Sequence, residues 1–297
     1  MSSNLSRRSI LKSILVGTVT MGIPTRFSDF ALNINEKESA IDVLKGNINH
    51  SVARWCFNDI DLDTLCMEAR KFGIKGIDLV GPKEWPILKK YGLDSPMCNG
   101  AEINLVDGFN DIKFHDTLIK NYTEMIPLVA NAGFKNLICF RGNKRNKTDE
   151  EGLNNCVIGL QKLIPIAEKH GVVLVMELLN SKINHPDYQC NTTFWGVALA
   201  KLMNSDNFKL LYDIYHMQID EGDVIRTIKD NHNYIGHYHT AGVPGRNEID
   251  NTQELNYSAI MKAIHETGFK GYVAQEFIPK NQNKLESLKR AITICDI

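Results

Sequence analysis

The seven cysteines of this 297-residue chain include no C-x-x-C pair, and their number is odd. Both facts disfavour a zinc ribbon and a disulfide-stapled scaffold. Cys56 and Cys139 stand within apolar runs, so we expect them to be small buried core residues. One disulfide stays open if the chain enters an oxidising compartment, but the spacing of the cysteines names no pair.

The chain also has little charge imbalance and no long basic run beyond its N-terminus. Its formal net charge is -1, and charged residues make up 23% of it. A protein held to nucleic acid by phosphate contacts needs an excess of Lys and Arg, so the composition argues against such a partner. With 43% hydrophobic residues the chain can bury one large core, which fits a globular protein that handles a small molecule.

No apolar run is long enough for a convincing membrane span, but the N-terminus carries a shorter signal. Arg7 and Arg8, followed by Ile-Leu-Lys, precede a mostly uncharged stretch. A basic start before a modest apolar run is typical of an export signal, and the paired arginines resemble the twin-arginine type, an address rather than an anchor. We therefore predict an export signal at 1–31, a linker at 32–47 and a periplasmic location without a stable membrane anchor. A disordered basic N-terminus is the alternative.

A glycine-rich phosphate loop is missing as well, since the first strand candidate ends in Trp55-Cys56-Phe57-Asn58-Asp59. This disfavours a doubly wound open sheet of the dinucleotide-binding type. Instead, short apolar or β-branched runs alternate with amphipathic helical stretches, one of them at 151–170. Three helical stretches end in glycine, at Gly73, Gly133 and Gly171. The eight strand candidates are 51–57, 76–80, 97–103, 136–141, 172–179, 209–215, 235–240 and 271–277.

Strands that alternate with helices indicate right-handed βαβ units and a parallel sheet. Eight such units in about 250 residues have the size of a (β/α)8 barrel. We therefore predict an α/β fold class, a single-domain TIM barrel over residues 48–297.

Four consecutive strand candidates each carry a carboxylate or an imidazole near the end at which such a barrel places its active site. They are Glu177, Asp213, His239 and Glu276. Charged groups within apolar runs are costly unless they are paired or bind a metal. Three carboxylates and one imidazole, without a thiolate, suit a divalent metal ion such as Mn²⁺, Mg²⁺ or Co²⁺. A layer of internal salt bridges is the alternative.

Several segments resemble the hydroxypyruvate isomerase family, within the wider xylose isomerase-like TIM barrel superfamily. The resemblance covers roughly residues 50 to 280 and is most specific from 172 to 277. It is carried by Glu177-x-x-Asn180, Tyr212-Asp213-Ile214-Tyr215-His216-Met217-Gln218 with Glu221-Gly222, Ile235-Gly236-His237, Pro244-Gly245-Arg246-x-Glu248, Glu254-Leu255-Asn256-Tyr257 and Glu276.

The resemblance implies an intramolecular oxidoreductase of the aldose–ketose isomerase type, which interconverts hydroxypyruvate and tartronate semialdehyde or acts on a close small hydroxy-carbonyl compound. It implies Glu177, Asp213, His239 and Glu276 as metal ligands. Glu177 and Glu276 would also be the catalytic acid/base pair, transferring a proton through an enediolate that the metal stabilises. The resemblance also implies that His216, Arg246 and Asn180 bind the substrate.

Two departures from the family pattern affect the substrate more than the reaction class. His239 stands where hydroxypyruvate isomerases tend to carry Gln, and imidazole there is a feature of ketose 3-epimerases. Arg141, at the end of the fourth strand candidate, is not part of the isomerase pattern. It could bind an anionic substrate or pair with a loop carboxylate, and the sequence leaves both open.

A periplasmic sugar or ketose 3-epimerase, or a keto-sugar isomerase, using the same site is therefore the alternative function. An abasic-site nuclease is disfavoured because it would need more histidines and a basic DNA face, whereas removing 1–31 makes this chain more acidic. A non-catalytic sugar-binding barrel would not need two proton-transfer groups. We expect a small-molecule substrate and no nucleic acid; the sequence leaves open whether the chain forms a homo-oligomer.

Overall fold

The computed structural model describes residues 44–297 and contains one parallel sheet whose seven strands run in the order β2-β1-β7-β6-β5-β4-β3. The strands are β1 (Asn49–Ala53), β2 (Gly76–Asp78), β3 (Asn136–Cys139), β4 (Val173–Glu177), β5 (Phe208–Asp213), β6 (Ile235–Thr240) and β7 (Tyr272–Gln275). Their side chains are almost all buried, as expected for a parallel sheet covered by helices. The predicted α/β TIM barrel fold is confirmed.

The predicted third strand at 97–103 is wrong as a regular strand. Only Cys98 bridges both edges of the sheet, pairing with Val80 beyond β2 and with Leu137 in β3. Its N–H donates to the carbonyl of Asn136 at 2.9 Å. Gly100 then takes a left-handed φ of 107°, which turns the chain out of extended pairing. This short segment thus lies between the two edge strands, where an eighth strand was expected.

Ten α-helices pack around the sheet in the described part of the chain. They are α1 (Leu62–Lys71), α2 (Trp85–Lys90), α3 (His115–Asn131), α4 (Asp149–Leu160), α5 (Ile164–His170), α6 (Thr193–Met203), α7 (Ile214–Asp220), α8 (Val224–Asn231), α9 (Tyr257–Glu266) and α10 (Lys284–Cys295). Within the described residues, none of the helices is both long and apolar enough to span a bilayer. The seven cysteines, all described, are buried and unpaired.

Two of the differences from the predicted element boundaries have a clear local cause. The stretch at 151–170 is two helices, because Pro165 at the start of α5 has no N–H to continue the ladder of α4. The strand predicted to reach residue 215 ends at Asp213, since this side chain caps α7 by accepting a hydrogen bond from the backbone N–H of His216 at 3.1 Å. The second difference fixes where the carboxylate of Asp213 lies.

The predicted export signal at 1–31 and most of the predicted linker lie outside the described residues. Export and the periplasmic location therefore stay predictions, which fractionation of cells that express the full chain would test.

We expect His50 in β1 to make the stability of the fold depend on pH. Its ring is fully buried, neither ring nitrogen has a hydrogen-bond partner among the described residues, and burial lowers its pKa to about 4. Unfolding restores an ordinary pKa of about 6.5, so the unfolded chain binds the proton first. Stability should therefore be full above about pH 6.5 and fall as pH drops toward 4.

We expect His50→Leu to remove roughly 2–3 kcal/mol of this acid-induced loss. The measurement is the free energy of unfolding by urea at pH 7 and pH 4.5 for both proteins. His170→Leu, at a partly exposed helix end, is the matched control and should lose stability as the wild type does. An equal loss in His50→Leu and the wild type would contradict the prediction.

Candidate metal centre and active site

Three carboxylates and one imidazole converge at one end of the sheet. Glu177 ends β4, Asp213 ends β5, His239 lies in β6 opposite Asp213 in the strand pairing, and Glu276 directly follows β7. One potential ligand atom from each lies within 4.8 Å of those from the other three, and all four residues are buried. Because the carboxyl ends of parallel strands meet at the same edge, the fold brings the four predicted residues together.

The closest contacts in this cluster centre on His239. Its Nδ1 lies 2.8 Å from Oε2 of Glu276 and 3.3 Å from Oε1 of Glu177. Burial alone would lower the pKa of His239, but Glu276 and the close contacts with Asp78 and the two glutamates raise it well above its ordinary value. The imidazole of His239 therefore binds its proton more tightly than a free histidine does.

The three carboxylates differ in their affinity for a proton. Burial raises the pKa of Asp213 to about 7, and burial together with the nearby Glu276 raises that of Glu177. Burial also acts on Glu276, but His239 and the guanidinium of Arg246 outweigh it and bring the pKa well below its usual range. Two glutamates with opposite shifts in one cavity are a common arrangement for an acid and a base.

These residues fit a divalent metal ion. Oε1 of Glu177 and Nδ1 of His239 are buried and close together, but among the described residues neither makes a hydrogen bond of regular geometry. Unsatisfied buried polar atoms are costly, and a cation bound between them would satisfy both. Oxygen donors with one imidazole suit Mn²⁺, Mg²⁺ or Co²⁺. The absence of a thiolate disfavours a structural zinc site, but His and carboxylate ligands also bind Zn²⁺ in other sites.

Arg246 covers this cluster from the loop that follows β6. Its guanidinium makes ion pairs with Asp213, at 3.2 Å, and with Glu276, and its Nη1 lies 2.9 Å from Nε2 of His216. The backbone of Arg246 takes a φ of 59°, a strained conformation for a residue with a side chain. Such strain of about 1–3 kcal/mol is typical of ligand clamps. The loop thus holds a fixed cation over the carboxylates.

Asn180 and His216 form the next contacts away from the carboxylates. Nδ1 of His216 lies 2.6 Å from Nδ2 of Asn180, and Oδ1 of Asn180 accepts from the N–H of Asn184 at 2.9 Å. Burial and the neighbouring Arg246 bring the pKa of His216 well below its ordinary value, so this imidazole is neutral. His216 contacts Arg246 directly, and Asn180 is linked to Arg246 through His216. Both of these predicted substrate-binding residues are fully buried.

A cavity of about 490 Å³ opens over the glutamates. Glu177, Glu276 and Arg246 line its polar base, and Trp55 donates from Nε1 to Oε1 of Glu276 at 2.7 Å. Much of the remaining wall is apolar; it includes Leu79, Ile103, Leu105, Ile138, Phe140 and Leu179. His185 and Glu102 also line the cavity. Glu102 was not identified from the sequence, because it lies in the segment wrongly predicted as a strand.

Arg141 is not brought into this cavity. Its guanidinium is fully buried, stacks at 3.5 Å on the ring of Trp195 and donates from Nη2 to the backbone carbonyl of Asp149. Burial lowers its pKa to about 10. Strand β3 ends at Cys139, and the chain then turns so that the side chain lies behind the cavity wall. This position does not support the predicted contact with substrate, and the guanidinium donates to a backbone carbonyl at the start of α4 rather than to a loop carboxylate.

The comparisons agree with this fold. Residues 85–294 match the family described as Xylose isomerase-like TIM barrel, which is more than half of the chain, so the protein belongs to this family. The matched segment includes all four converging residues.

Two relatives are named as isomerases. A Xenopus laevis protein named "Putative hydroxypyruvate isomerase" is 32% identical over 139 residues, 47% of this chain and 50% of its own length. A 2-oxo-tetronate isomerase of Cupriavidus necator is 36% identical over 114 residues, 38% of this chain and 43% of its own length. The chain therefore matches half or less of the length of these relatives.

Solved structures share the fold at lower identity. A 3-keto-D-glucoside 4-epimerase from E. coli superposes with a TM-score of 0.69 at 18% identity, over 83% of this chain and 98% of its own. A structure described as IOLI protein with a binding zinc atom superposes with a TM-score of 0.66 at 20% identity, over 84% of this chain and 95% of its own.

Proposed function

We propose that this protein is a metal-dependent isomerase that moves a proton between adjacent carbons of a small hydroxy-carbonyl compound, with hydroxypyruvate as the first candidate. The observation that carries the proposal is the pair Glu177 and Glu276. Both are buried, both line one cavity, and both approach the same imidazole nitrogen. A binding protein would not need two buried proton-transfer groups with opposite pKa shifts.

The residues of the site divide the reaction between them. Glu177, Asp213, His239 and Glu276 would hold the divalent ion, which when bound would polarise a carbonyl and stabilise negative charge on its oxygen. One glutamate takes a proton from the hydroxyl-bearing carbon next to the carbonyl, and a glutamate returns a proton to the former carbonyl carbon, while the hydroxyl proton passes to the former carbonyl oxygen. Arg246 holds a substrate oxygen or carboxylate, and Trp55 fixes the carboxylate of Glu276 through its indole N–H.

The substrate class is supported by the named relatives, one a hydroxypyruvate and one a 2-oxo-tetronate isomerase. Both names describe small hydroxy-carbonyl acids. Arg246 offers the cavity one cation for such an acid, although Asp213 and Glu276 already pair with it.

A keto-sugar or ketose epimerase is the second candidate. A cavity of about 490 Å³ with an apolar wall has room for a sugar-sized molecule. His239 also places an imidazole at the position where imidazole is a feature of ketose 3-epimerases. The same site would serve, because epimerisation also removes and returns a proton at a carbon next to a carbonyl. Export to the periplasm, if it occurs, would favour this candidate.

Proton exchange from solvent tests both candidates. The mature chain loaded with Mn²⁺ is incubated in D₂O with hydroxypyruvate, 2-oxo-tetronate, and a panel of ketoses and keto-sugars; the substrates are read by NMR after the protein and metal are removed. Deuterium in hydroxypyruvate together with an aldehyde product is the expected result. Deuterium only in a sugar would transfer the protein to the epimerase class, and none in any compound, with the metal bound, would overturn an isomerase function.

A further inference from the structure

Behind His239, on the side of the ring away from the glutamates, lies a second buried group. Oδ2 of Asp78 is 3.4 Å from Nε2 of His239 and 2.5 Å from Nε2 of His237. All three residues are fully buried. Asp78 ends β2, whereas both histidines belong to β6, and two other strands separate β2 from β6 in the sheet. The carboxylate therefore reaches across the barrel interior to meet them.

The two nitrogens of His239 face different acceptors. Nδ1 faces Glu276 and Glu177 in the proposed metal centre, and Nε2 faces Asp78. A neutral imidazole carries one proton, and it binds a metal only through the nitrogen without that proton. Glu276, at 2.8 Å, attracts the proton to Nδ1, the nitrogen that would have to bind the metal. Another acceptor must hold the proton at Nε2 for His239 to serve as a ligand.

We infer that Asp78 is a positioning residue, which accepts the Nε2 proton of His239 and so presents Nδ1 to the metal. His237 in turn donates to the same oxygen and fixes the carboxylate. Partners of this kind, which orient a metal-binding histidine through its other nitrogen, commonly change metal affinity by roughly 10- to 100-fold when removed. The inference rests on the proposed metal centre.

A purely structural ion pair explains the geometry less well. A buried carboxylate needs compensation, which His237 alone provides at 2.5 Å. The second imidazole within reach of the same oxygen is the one that also faces the glutamates. Elsewhere on β6, the buried hydroxyl of Thr240 donates to the carbonyl of Ala274 and to the side chain of Gln275, and not to any of the four converging side chains. The Asp78 contact is thus specific to a proposed ligand.

Asp78→Asn tests the inference because it keeps the volume and removes the charge that attracts the proton. We expect the dissociation constant for Mn²⁺, measured by calorimetry, to rise roughly 10- to 100-fold. In the Zn²⁺-loaded wild type, the ¹⁵N NMR shifts of His239 should show a protonated Nε2 and a metal-bound Nδ1. In the variant this pattern should be weakened or reversed, which a loss of packing alone would not produce.

Thr240→Val is the matched control, since it removes an equally buried polar contact from the same strand. It should change stability while leaving the Mn²⁺ dissociation constant and the His239 shifts unchanged. If Asp78→Asn does not fold, His237→Gln tests the inference instead. It removes the imidazole that holds the carboxylate of Asp78 in place, and it should raise the Mn²⁺ dissociation constant by a few-fold.

Unchanged Mn²⁺ affinity in folded Asp78→Asn would overturn the inference. So would two bound ions per wild-type chain by elemental analysis, because Asp78 and the histidines would then hold an ion of their own. If the wild type binds no divalent ion, the proposed metal centre itself fails, and this outcome is distinct from either of the other two.

Discussion

Glu177→Gln and Glu276→Gln should each reduce deuterium exchange into the substrate by roughly 10²- to 10⁴-fold. The amide preserves the size of each side chain but can neither accept nor return the proton. Both residues line the cavity and are almost fully buried, so water has little access to replace them. The measurement is the initial exchange rate at saturating substrate and Mn²⁺, with bound metal quantified in each variant.

The matched control is Glu102→Gln. Glu102 lines the same cavity but does not belong to the converging set, and its carboxylate accepts from the N–H of Gly100 at 2.8 Å. We expect its exchange rate to stay within a few-fold of the wild type. Metal-loaded Glu177→Gln or Glu276→Gln with a wild-type rate would show that the glutamate in question does not transfer the proton, whereas loss of the metal would assign that glutamate to binding.

The two glutamates should also differ in how they respond to the change. Glu276 has a pKa well below its usual range and pairs with Arg246, so its replacement removes a permanent negative charge from the cluster. Glu177 has a raised pKa, and the described ion pairs of Arg246 are with Asp213 and Glu276 rather than with Glu177. Glu276→Gln should therefore perturb the position of Arg246 more strongly, with a larger rise in KM.

The converging residues could be predicted because each follows a recognisable strand. Glu177, Asp213 and Glu276 stand at or next to the ends of apolar runs, and parallel strands bring such ends to one edge. The exact end of β5 was not read from the sequence, although an Asp three residues before His216 is a helix-capping signal. The cap displaced the predicted strand end by two residues without moving the carboxylate away from the site.

Other parts of the site depend on contacts that spacing does not encode. Asp78 ends a strand as Glu177 does, but its partners lie on a strand that is not its neighbour along the chain or in the sheet. Arg141 also follows an apolar run, and for that reason it was considered as a substrate-binding residue. In the structure, however, the chain beyond β3 turns its side chain onto Trp195. Strand ends thus predict position around the barrel better than they predict the direction of a side chain.

The remaining large effect concerns the metal ion itself. Dialysis against a chelator should abolish exchange, and Mn²⁺ should restore it, because three carboxylates and His239 crowd together and Arg246 pairs with only two of the carboxylates. Free Mn²⁺ at 100 times its dissociation constant should stabilise the folded chain by about 2.7 kcal/mol. For a chain of this size this corresponds to a rise in Tm on the order of 5–10 °C.

Asp213→Asn should remove both the restored activity and most of the Mn²⁺-dependent rise in Tm. Asn still caps a helix, so α7 keeps its start and the variant isolates the loss of a charged ligand. Asp94→Asn is the control: Asp94 is a partly buried carboxylate outside the converging set, and its replacement should leave the Mn²⁺ response intact. An Asp213→Asn protein that Mn²⁺ stabilises as much as the wild type would mean that the ion binds elsewhere. In that event the carboxylates at the strand ends would be better explained as an internal salt-bridge layer around Arg246, which already pairs with two of them.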